Sequence, residues 1–343
     1  MAENCSNQKG QIMHKAHMAG IGYYVPEKVV TNADLEKIMD TSDEWIRERT
    51  GIIERRYVAD GENNADMAEK ASRKALDHAG CDVQDIDFII YATLSPDYFF
   101  PGSGCLLQDQ LGLNGIGALD IRNQCCGFVY GLSIADQYIK TGEYKNILLV
   151  GSEVQSRGID LTTRGRDIAV LFGDGAGAAI ISRTDDENRG IINTKLHADG
   201  KYIKELWCED PGSIKNPRLS HEMIDSTSHW PYMNGRYVFK HAATRFPEVI
   251  NEALEAANIN KDDVDLVIPH QANMRITEAV RMRLELPEEK VYSNIHKYGN
   301  TTAASIPIAM SEAIAEGLIK EGSLICLAAF GSGFTWASAL LRL

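Results

Sequence analysis

Residues Ala75–Ile90, "ALDHAGCDVQDIDFII", return in the same pattern at Ala253–Ile268, "ALEAANINKDDVDLVI". The two stretches align without a gap, and each leads from the end of a helix through an acidic turn into an apolar strand. A second pair, Phe172–Ile181 ("FGDGAGAAII") and Phe330–Leu341 ("FGSGFTWASALL"), joins a glycine turn to an apolar strand in each case. Self-similarity with a period of half the chain predicts two related halves.

The strands between the helical segments are near-continuous apolar runs, such as "NILLVG" and "SLICLAAFG". Runs of this kind are typical of buried sheets with helices on both faces, so we predict an α/β fold. We expect an N-terminal half at 17–183, a C-terminal half at 184–343 and an extension at 1–16. No proline- or glycine-rich linker separates the halves, which favours one fused pseudo-symmetric core.

The region 200–235 breaks the symmetry. It lacks clear periodicity and contains two tryptophans, Trp207 and Trp230. Irregular segments of this length inside a compact domain are often lids or binding loops. A plain surface excursion is the alternative, and the sequence does not separate the two.

Composition excludes several functional classes. The formal net charge of −13 argues against nucleic-acid binding, and an acidic partner would need a local basic patch. No apolar run approaches the roughly 18 residues of a membrane span, and the first residues lack the apolar core of a signal peptide. The seven cysteines include no C-x-x-C pair, which argues against disulfides and zinc. We expect a cytoplasmic protein without a metal.

Two adjacent cysteines, Cys125 and Cys126, lie in "NQCCGF" directly before the apolar helical segment "GFVYGLSIADQYIK". The N-terminus of a helix stabilises an anion, so we expect a lowered thiol pKa and a candidate nucleophile there. Simple packing of both cysteines is the alternative, and this stretch alone favours packing.

A histidine and an asparagine lie at comparable junctions in the second half. His270 ends the strand in "VIPHQAN", and Asn300 lies in the glycine turn of "HKYGNTTAASIP". Each also has an ordinary structural explanation, a capping histidine and a turn asparagine. Cys, His and Asn would converge if the pseudo-twofold brings these junctions together. "FGDGAG" lacks the lysine of a phosphate loop and precedes a strand, which favours tight turns.

Several long motifs, in one order, resemble the β-ketoacyl-acyl-carrier-protein synthase III family of the thiolase-like superfamily. They are "TSDEWIRERTGIIER", "C-x-GF", "RGRDIAVLFGDGAGAA", "IPHQAN", "HKYGNTTAASIP" and "AFGSGFTW". The resemblance runs from about Met18 to the C-terminus. It implies a thiolase-like fold of two α/β/α/β/α halves in a five-layered core, and a homodimer. It also implies a catalytic triad of Cys125, His270 and Asn300, with Cys126 in a packing role.

The reaction that the resemblance implies is the first condensation of type II fatty acid synthesis. An acyl-CoA primer loads onto Cys125, and malonyl-acyl carrier protein then condenses with it, releasing CoA and CO₂ without a further cofactor. The oxyanion hole would consist of the N–H groups of Cys125 and Ser332, where the family commonly has glycine.

Further residues follow from the same resemblance. The residues implied for CoA binding are Trp45, Arg49, Thr50, Arg164, Phe239, Asn273 and Ile276. Among these, Trp45 and Arg164 would enclose the adenine. Phe100 would reach into the partner's acyl pocket, and the carrier protein would dock on Lys240 and Arg275, with Arg281 or Arg283 as additional candidates.

Two departures from the family pattern concern the primer. Arg236 stands where a small polar residue is common, and 200–235 is longer than in acetyl-primed members. We therefore hypothesise a primer longer than acetyl. The alternatives are a related condensing enzyme or acyltransferase with another acceptor, a silent acyl-CoA-binding protein and a cysteine protease. Retention of Asn300 favours the first reaction, the intact triad argues against a silent protein, and the repeat does not suit a protease.

Overall fold

The computed structural model describes residues 14–343, so most of the predicted extension lies outside the described residues. Its strands are β1 (Lys15–Tyr24), β2 (Val29–Thr31), β3 (Glu54–Arg56), β4 (Phe88–Ala92), β5 (Gly117–Ile121), β6 (Asn146–Glu153), β7 (Gly175–Thr184), β8 (Gly190–Ala198), β9 (Leu206–Trp207), β10 (Tyr232–Met233), β11 (Leu266–Pro269), β12 (Leu324–Gly331) and β13 (Thr335–Arg342). Two sheets dominate, with strand orders β1-β7-β6-β4-β5 and β11-β12-β13-β8. The first sheet uses strands from the first half of the chain and the second uses strands from the rest.

The α-helices cover and separate these sheets. They are α1 (Asn32–Glu36), α2 (Asp43–Thr50), α3 (Asn64–Ala79), α4 (Ser103–Gln110), α5 (Gly127–Lys140), α6 (Arg166–Ala169), α7 (His221–Asp225), α8 (Gly235–Ala257), α9 (Met274–Leu284), α10 (Ile295–Tyr298) and α11 (Ser305–Ala315). Single 3-10 turns lie at Val83–Asp85, Gln124–Cys126, Thr163–Gly165, Lys261–Asp263, Glu288–Lys290 and Thr302–Ala304, and a longer 3-10 segment spans Gly200–Glu205.

The internal repeat is confirmed as a repeated structure. In both copies a helix, α3 or α8, leads through a 3-10 turn into a strand, β4 or β11. The helices end on left-handed residues at equivalent positions, Gly80 (φ 62°) and Asn258 (φ 54°), as is typical of helix C-termini. The turns begin with the equivalent side chains of Asp82 and Asn260, which accept hydrogen bonds from backbone N–H groups. The boundaries 17–183 and 184–343 themselves remain a prediction.

The strands are apolar on both faces because both faces are covered. In β6, Ile147 and Leu149 belong to the central hydrophobic cluster, whereas Leu148 and Val150 belong to an outer one, as the two-residue period of a strand requires. The central cluster contains α5 and α11 between the sheets. Helices α3 and α4 pack outside the first sheet, and α8 and α9 outside the second. The predicted five layers, α/β/α/β/α, are confirmed.

The region 200–235 contains only short elements. Its two ends meet in a small sheet, in which Leu206 pairs with Met233 and Trp207 pairs with Tyr232. The described residues include no helix that combines the length and the apolar character needed to cross a membrane.

Candidate active site

Cys125 lies where the sequence predicted, in the 3-10 turn that leads into α5. The preceding Gln124 has a left-handed φ of 43°, which is uncommon for a residue with a Cβ and marks a sharp change of direction before the cysteine. Cys125 is 9% exposed and lines two cavities of about 370 and 360 Å³. Cys126 is fully buried in the central cluster.

The backbone N–H groups of Cys125 and Ser332 lie close enough to the Cys125 sulfur to favour its thiolate form. The turn that carries Ser332 can come this close because Gly331 has no side chain. A Cβ at this position would lie 2.7 Å from the Cβ of Cys125, which is too short for two carbon atoms, so the approach requires glycine. The left-handed φ in this turn falls on Gly333 (φ 137°), so the backbone at Ser332 accepts a side chain. Two N–H groups beside the sulfur are available to an oxygen that binds next to it, so the predicted oxyanion hole of Cys125 and Ser332 stays a prediction.

The pKa of the Cys125 thiol is raised, so the expectation of a lowered value is wrong. Burial is the main cause, and the nearby Cys126 and Glu153 raise the pKa further. Burial disfavours the charged form of a group, and here it outweighs the helix N-terminus and the two N–H groups. The Cys125 side chain is therefore a neutral thiol at rest.

His270 follows β11 and is almost fully buried. Its Nδ1 lies 2.6 Å from Ser305 Oγ, which also accepts a hydrogen bond from the Gln271 N–H at 3.3 Å. We assign Ser305 Oγ as the hydrogen-bond donor and Nδ1 as the acceptor, which places the proton of the imidazole ring on Nε2. Within residues 14–343, Nε2 is buried without a hydrogen-bond partner. Burial lowers the pKa of His270 to about 3, so the ring is neutral and Nε2–H is free to donate.

Asn300 is fixed through its backbone and its amide oxygen. Its N–H donates to Leu171 O at 2.7 Å, and its carbonyl accepts from Gly173 N at 3.1 Å. The N–H of Thr302 donates to Oδ1 at 2.9 Å, and Gln155 Nε2 donates to Thr302 Oγ1 at 2.8 Å. Because Oδ1 is occupied, the Nδ2 group is the part of the amide left to bind a ligand oxygen.

The first cavity brings the three predicted catalytic residues together. Cys125, His270 and Asn300 all line it, although they come from three separate junctions of the two halves. Four of the residues predicted for CoA binding share this lining: Arg49, Phe239, Asn273 and Ile276. Two further arginines of the sequence analysis, Arg236 and Arg275, line it as well.

The surroundings of Trp45 differ from the expected pairing with Arg164. The guanidinium carbon atoms of Arg49 and Arg166 lie 4.6 and 4.8 Å from the centre of its ring. Arg164 instead forms an ion pair with Asp160 at 2.7 Å. The sequence analysis did not single out Arg166, although it lies inside a quoted motif.

Three other predicted residues lie outside the linings of both cavities. The Thr50 hydroxyl donates to the Ile46 carbonyl inside α2. Phe100 is 79% exposed next to the exposed rings of Tyr98 and Phe99. Lys240 is exposed on α8, one residue after Phe239.

The second cavity shares Cys125 with the first and includes Ser332, Gln155 and Thr302 in its lining. Much of its wall comes from the region 200–235, through Ile203, Leu206, Trp207, Cys208, Pro231 and Met233. This region is therefore the wall of a cavity next to the nucleophile and more than a surface excursion. The residues Gln155, Thr302 and Ser305 were missed at the sequence level, although the last two lie inside the motif around Asn300.

A buried cysteine, a neutral histidine and an asparagine amide on one cavity of a five-layered α/β fold define a thiolase-like condensing enzyme. Two family models match, 3-oxoacyl-[acyl-carrier-protein] synthase III at residues 119–200 and its C-terminal part at 254–343. A β-ketoacyl-[acyl-carrier-protein] synthase III from Geobacillus kaustophilus is 48% identical over 95% of this chain and 98% of its own. The chain belongs to the β-ketoacyl-[acyl-carrier-protein] synthase III family, and it is an acyltransferase.

Solved structures agree with this assignment. The 3-oxoacyl-[acyl-carrier-protein] synthase III of Aquifex aeolicus is 45% identical, with a TM-score of 0.88 over 96% of this chain and 100% of that one. A priming β-ketosynthase from a polyketide biosynthetic pathway is 31% identical, with a TM-score of 0.88 and 98% coverage of both chains.

Proposed function

We propose that the protein condenses an acyl-CoA primer with malonyl-acyl carrier protein and so starts type II fatty acid synthesis. The observation that carries the proposal is the shared lining of Cys125, His270 and Asn300 in the first cavity. In the first step the Cys125 sulfur attacks the thioester carbonyl, the acyl group moves to Cys125, and the thiol proton leaves with CoA. The N–H groups at the sulfur stabilise the tetrahedral oxyanion.

In the second step, malonyl-acyl carrier protein loses CO₂. The enolate oxygen that forms accepts hydrogen bonds from His270 Nε2–H and Asn300 Nδ2. The enolate carbon attacks the acyl carbonyl on Cys125, the bond between that carbon and the sulfur breaks, β-ketoacyl-acyl carrier protein leaves, and the thiolate takes up a proton from water. Neutral hydrogen-bond donors suit this step, because loss of CO₂ forms the enolate and no base has to remove a proton. No cofactor beyond the two substrates is required.

We infer that the primer is longer than acetyl and that its chain lies in the second cavity. A cavity of about 150 Å³ holds a benzene molecule, and the second cavity measures about 360 Å³. The extended region 200–235 supplies much of its wall, and Arg236 adds a cation at the neighbouring first cavity.

The CoA and carrier-protein contacts that the family suggests are part of the proposal. The CoA set is Trp45, Arg49, Thr50, Arg164, Phe239, Asn273 and Ile276, to which the contact with Trp45 adds Arg166. Arg236, Lys240 and Arg275 have no ion-pair partner within residues 14–343. Unpaired cations at the mouth of a cavity suit an acidic carrier protein, which the overall negative charge would otherwise repel.

We also infer a cytoplasmic homodimer. Strand β5 is an edge of its sheet and is largely accessible, and such edges are usually paired or covered. The exposed rings of Tyr98, Phe99 and Phe100 form an apolar patch near it, a common feature of protein interfaces. The six cysteines of the described part are free thiols, as expected in a reducing compartment.

Mass spectrometry of the intact protein after incubation with mixed acyl-CoAs tests the proposal. One acyl group on Cys125, followed by formation of β-ketoacyl-acyl carrier protein when malonyl-acyl carrier protein is added, is the expected result. A protein that acquires no acyl group from any acyl-CoA would contradict it.

A priming enzyme of secondary metabolism is the second candidate. The likeness to the priming β-ketosynthase and the size of the second cavity favour it. Parallel assays with carrier proteins from fatty acid and polyketide pathways separate the two, since both candidates share the acylation step and differ in the acceptor.

A further inference from the structure

The hydroxyl group of Ser332 connects two distant parts of the chain. Ser332 lies in the turn between β12 and β13, and its N–H lies close enough to the Cys125 sulfur to affect the pKa of the thiol. Its Oγ donates a hydrogen bond to the carbonyl of Leu206, 126 residues earlier in the chain. A glycine at position 332 cannot make this bond.

Leu206 belongs to the partition between the two cavities. It lines both of them, as do Phe172 and Met233. The next two residues, Trp207 and Cys208, line only the second cavity. The position of the Leu206 backbone therefore sets how far this wall lies from Cys125.

Leu206 and Met233 pack against the outer hydrophobic cluster of the second sheet, but few hydrogen bonds among the described residues hold this wall against the core. The sheet of β9 and β10 is only two residues long on each side, and Asn234 N donates to Glu205 O at 2.8 Å. The segment is tied to the second sheet at its start, where Asp199 and Phe334 exchange two backbone hydrogen bonds of 2.8 and 2.9 Å. Beyond that point, the hydrogen bond from the Ser332 hydroxyl to the Leu206 carbonyl directly joins the turn between β12 and β13 to β9, the strand between the two cavities.

We propose that Ser332 determines acyl-chain specificity by holding the Leu206–Cys208 wall against the oxyanion-hole turn. The inference rests on the proposed function and deepens it. With the hydroxyl present, the wall is fixed and the second cavity has a defined width. Without it, the wall can retreat, and longer acyl chains gain relative to shorter ones. The oxyanion N–H of residue 332 belongs to the backbone and is kept in any substitution.

The test compares rates of acyl-enzyme formation with decanoyl-CoA and butyryl-CoA, measured by intact-protein mass spectrometry. In Ser332→Ala and Ser332→Gly, the decanoyl-to-butyryl ratio is expected to rise about three- to tenfold, the effect of one net hydrogen bond. Ser332→Thr keeps the hydroxyl and is expected to restore a ratio near that of the wild type. A general disturbance of the oxyanion hole slows both chains and cancels in the ratio.

Ser338→Ala is the matched control, because it also removes a buried hydroxyl that donates to a carbonyl, Val249 O at 2.8 Å, and Ser338 lines neither cavity. Its ratio is expected to stay at the wild-type value. Leu206→Ala should raise the ratio too, and combining it with Ser332→Ala should add less than the sum, since both act on one wall.

An unchanged ratio in both Ser332→Ala and Ser332→Gly overturns this inference while the proposed function stands. A wild-type protein that loads neither chain, nor any other acyl-CoA, overturns the proposed function instead.

Discussion

Two cavities of nearly equal volume, about 370 and 360 Å³, meet at Cys125, yet their walls come from different kinds of sequence. The polar groups of the first cavity, His270 and Asn300, lie at strand and turn ends of the repeated α/β halves. Much of the wall of the second cavity comes from 200–235, the region that breaks the repeat. Under the proposed function, the repeated scaffold supplies the residues of the chemical steps, and the irregular region supplies much of the wall of the neighbouring space.

The largest expected effect comes from removing the sulfur of Cys125, a residue that lines both cavities. Cys125→Ala should abolish acyl-enzyme formation and lower condensation by a factor on the order of 10⁴ or more, while decarboxylation of malonyl-acyl carrier protein continues at His270 and Asn300. Intact mass measures acyl-enzyme formation, and formation of β-ketoacyl-acyl carrier protein measures condensation. Cys126→Ala is the control and should retain both, because its sulfur packs in the central cluster. An acyl group found on Cys126 in the wild type would reverse the assignment.

Substitutions of residues that line only the first of the two cavities should separate acyl loading of Cys125 from decarboxylation of malonyl-acyl carrier protein. His270→Ala and Asn300→Ala each remove a donor to the enolate oxygen and should slow decarboxylation by about 10²- to 10³-fold. Both variants should still load an acyl group, because the N–H groups at the Cys125 sulfur remain. Measuring CO₂ release and acyl loading on the same samples checks this. Equal losses in the two steps would mean that the first cavity does not have the separate role given to it.

A buried carboxyl group, Glu153, lies at the end of β6 and contacts the lining of the second cavity through Leu94. It accepts hydrogen bonds from the hydroxyls of Ser95 and Thr93 and from the N–H of Leu94, and Leu94 lines that cavity. Burial raises the pKa of Glu153 to about 7 from a usual value of 4.5. Between these pH values the folded protein keeps a proton that the unfolded chain releases, so stability falls as the pH rises through this window.

Glu153→Gln should remove this pH dependence, since the amide resembles the protonated acid. Between pH 4.5 and pH 8 the wild type should lose about 3 kcal/mol of unfolding free energy at this group, and the variant should not. Urea unfolding across this range measures the difference. Glu248→Gln, at an exposed carboxylate paired with Arg245, should keep the wild-type slope. A parallel pH profile for Glu153→Gln would mean that Glu153 is ionised throughout.

The repeat of half the chain and the strands that are apolar on both faces predicted two fused halves with buried sheets covered by helices, and the family resemblance added the five layers. It predicted Cys125, His270 and Asn300 because each lies in a long motif. It did not predict the direction of the thiol pKa, because that depends on burial by residues from both halves. Contacts such as Gln155 to Thr302, 147 positions apart, likewise exist only in the folded chain.

The smallest effect should come from the cations near the first cavity. Replacing Lys240 and Arg275 by Ala removes two unpaired charges and should raise the KM for malonyl-acyl carrier protein about three- to tenfold, with little change for acyl-CoA loading. The difference should shrink as salt increases, because exposed charges are screened within about 10 Å at 0.1 M ionic strength. Steady-state kinetics at low and high salt measure both effects.

A control variant with the same change in net charge replaces Arg73 and Arg183, which form exposed ion pairs with Glu69 and Asp185. Its KM for the carrier protein should match that of the wild type. If it rises equally, net charge alone attracts the carrier protein, and the two cavities differ in their lining but not in the partner that each admits. If only the Lys240 and Arg275 variant responds, the first cavity is the side from which the carrier protein delivers its malonyl group.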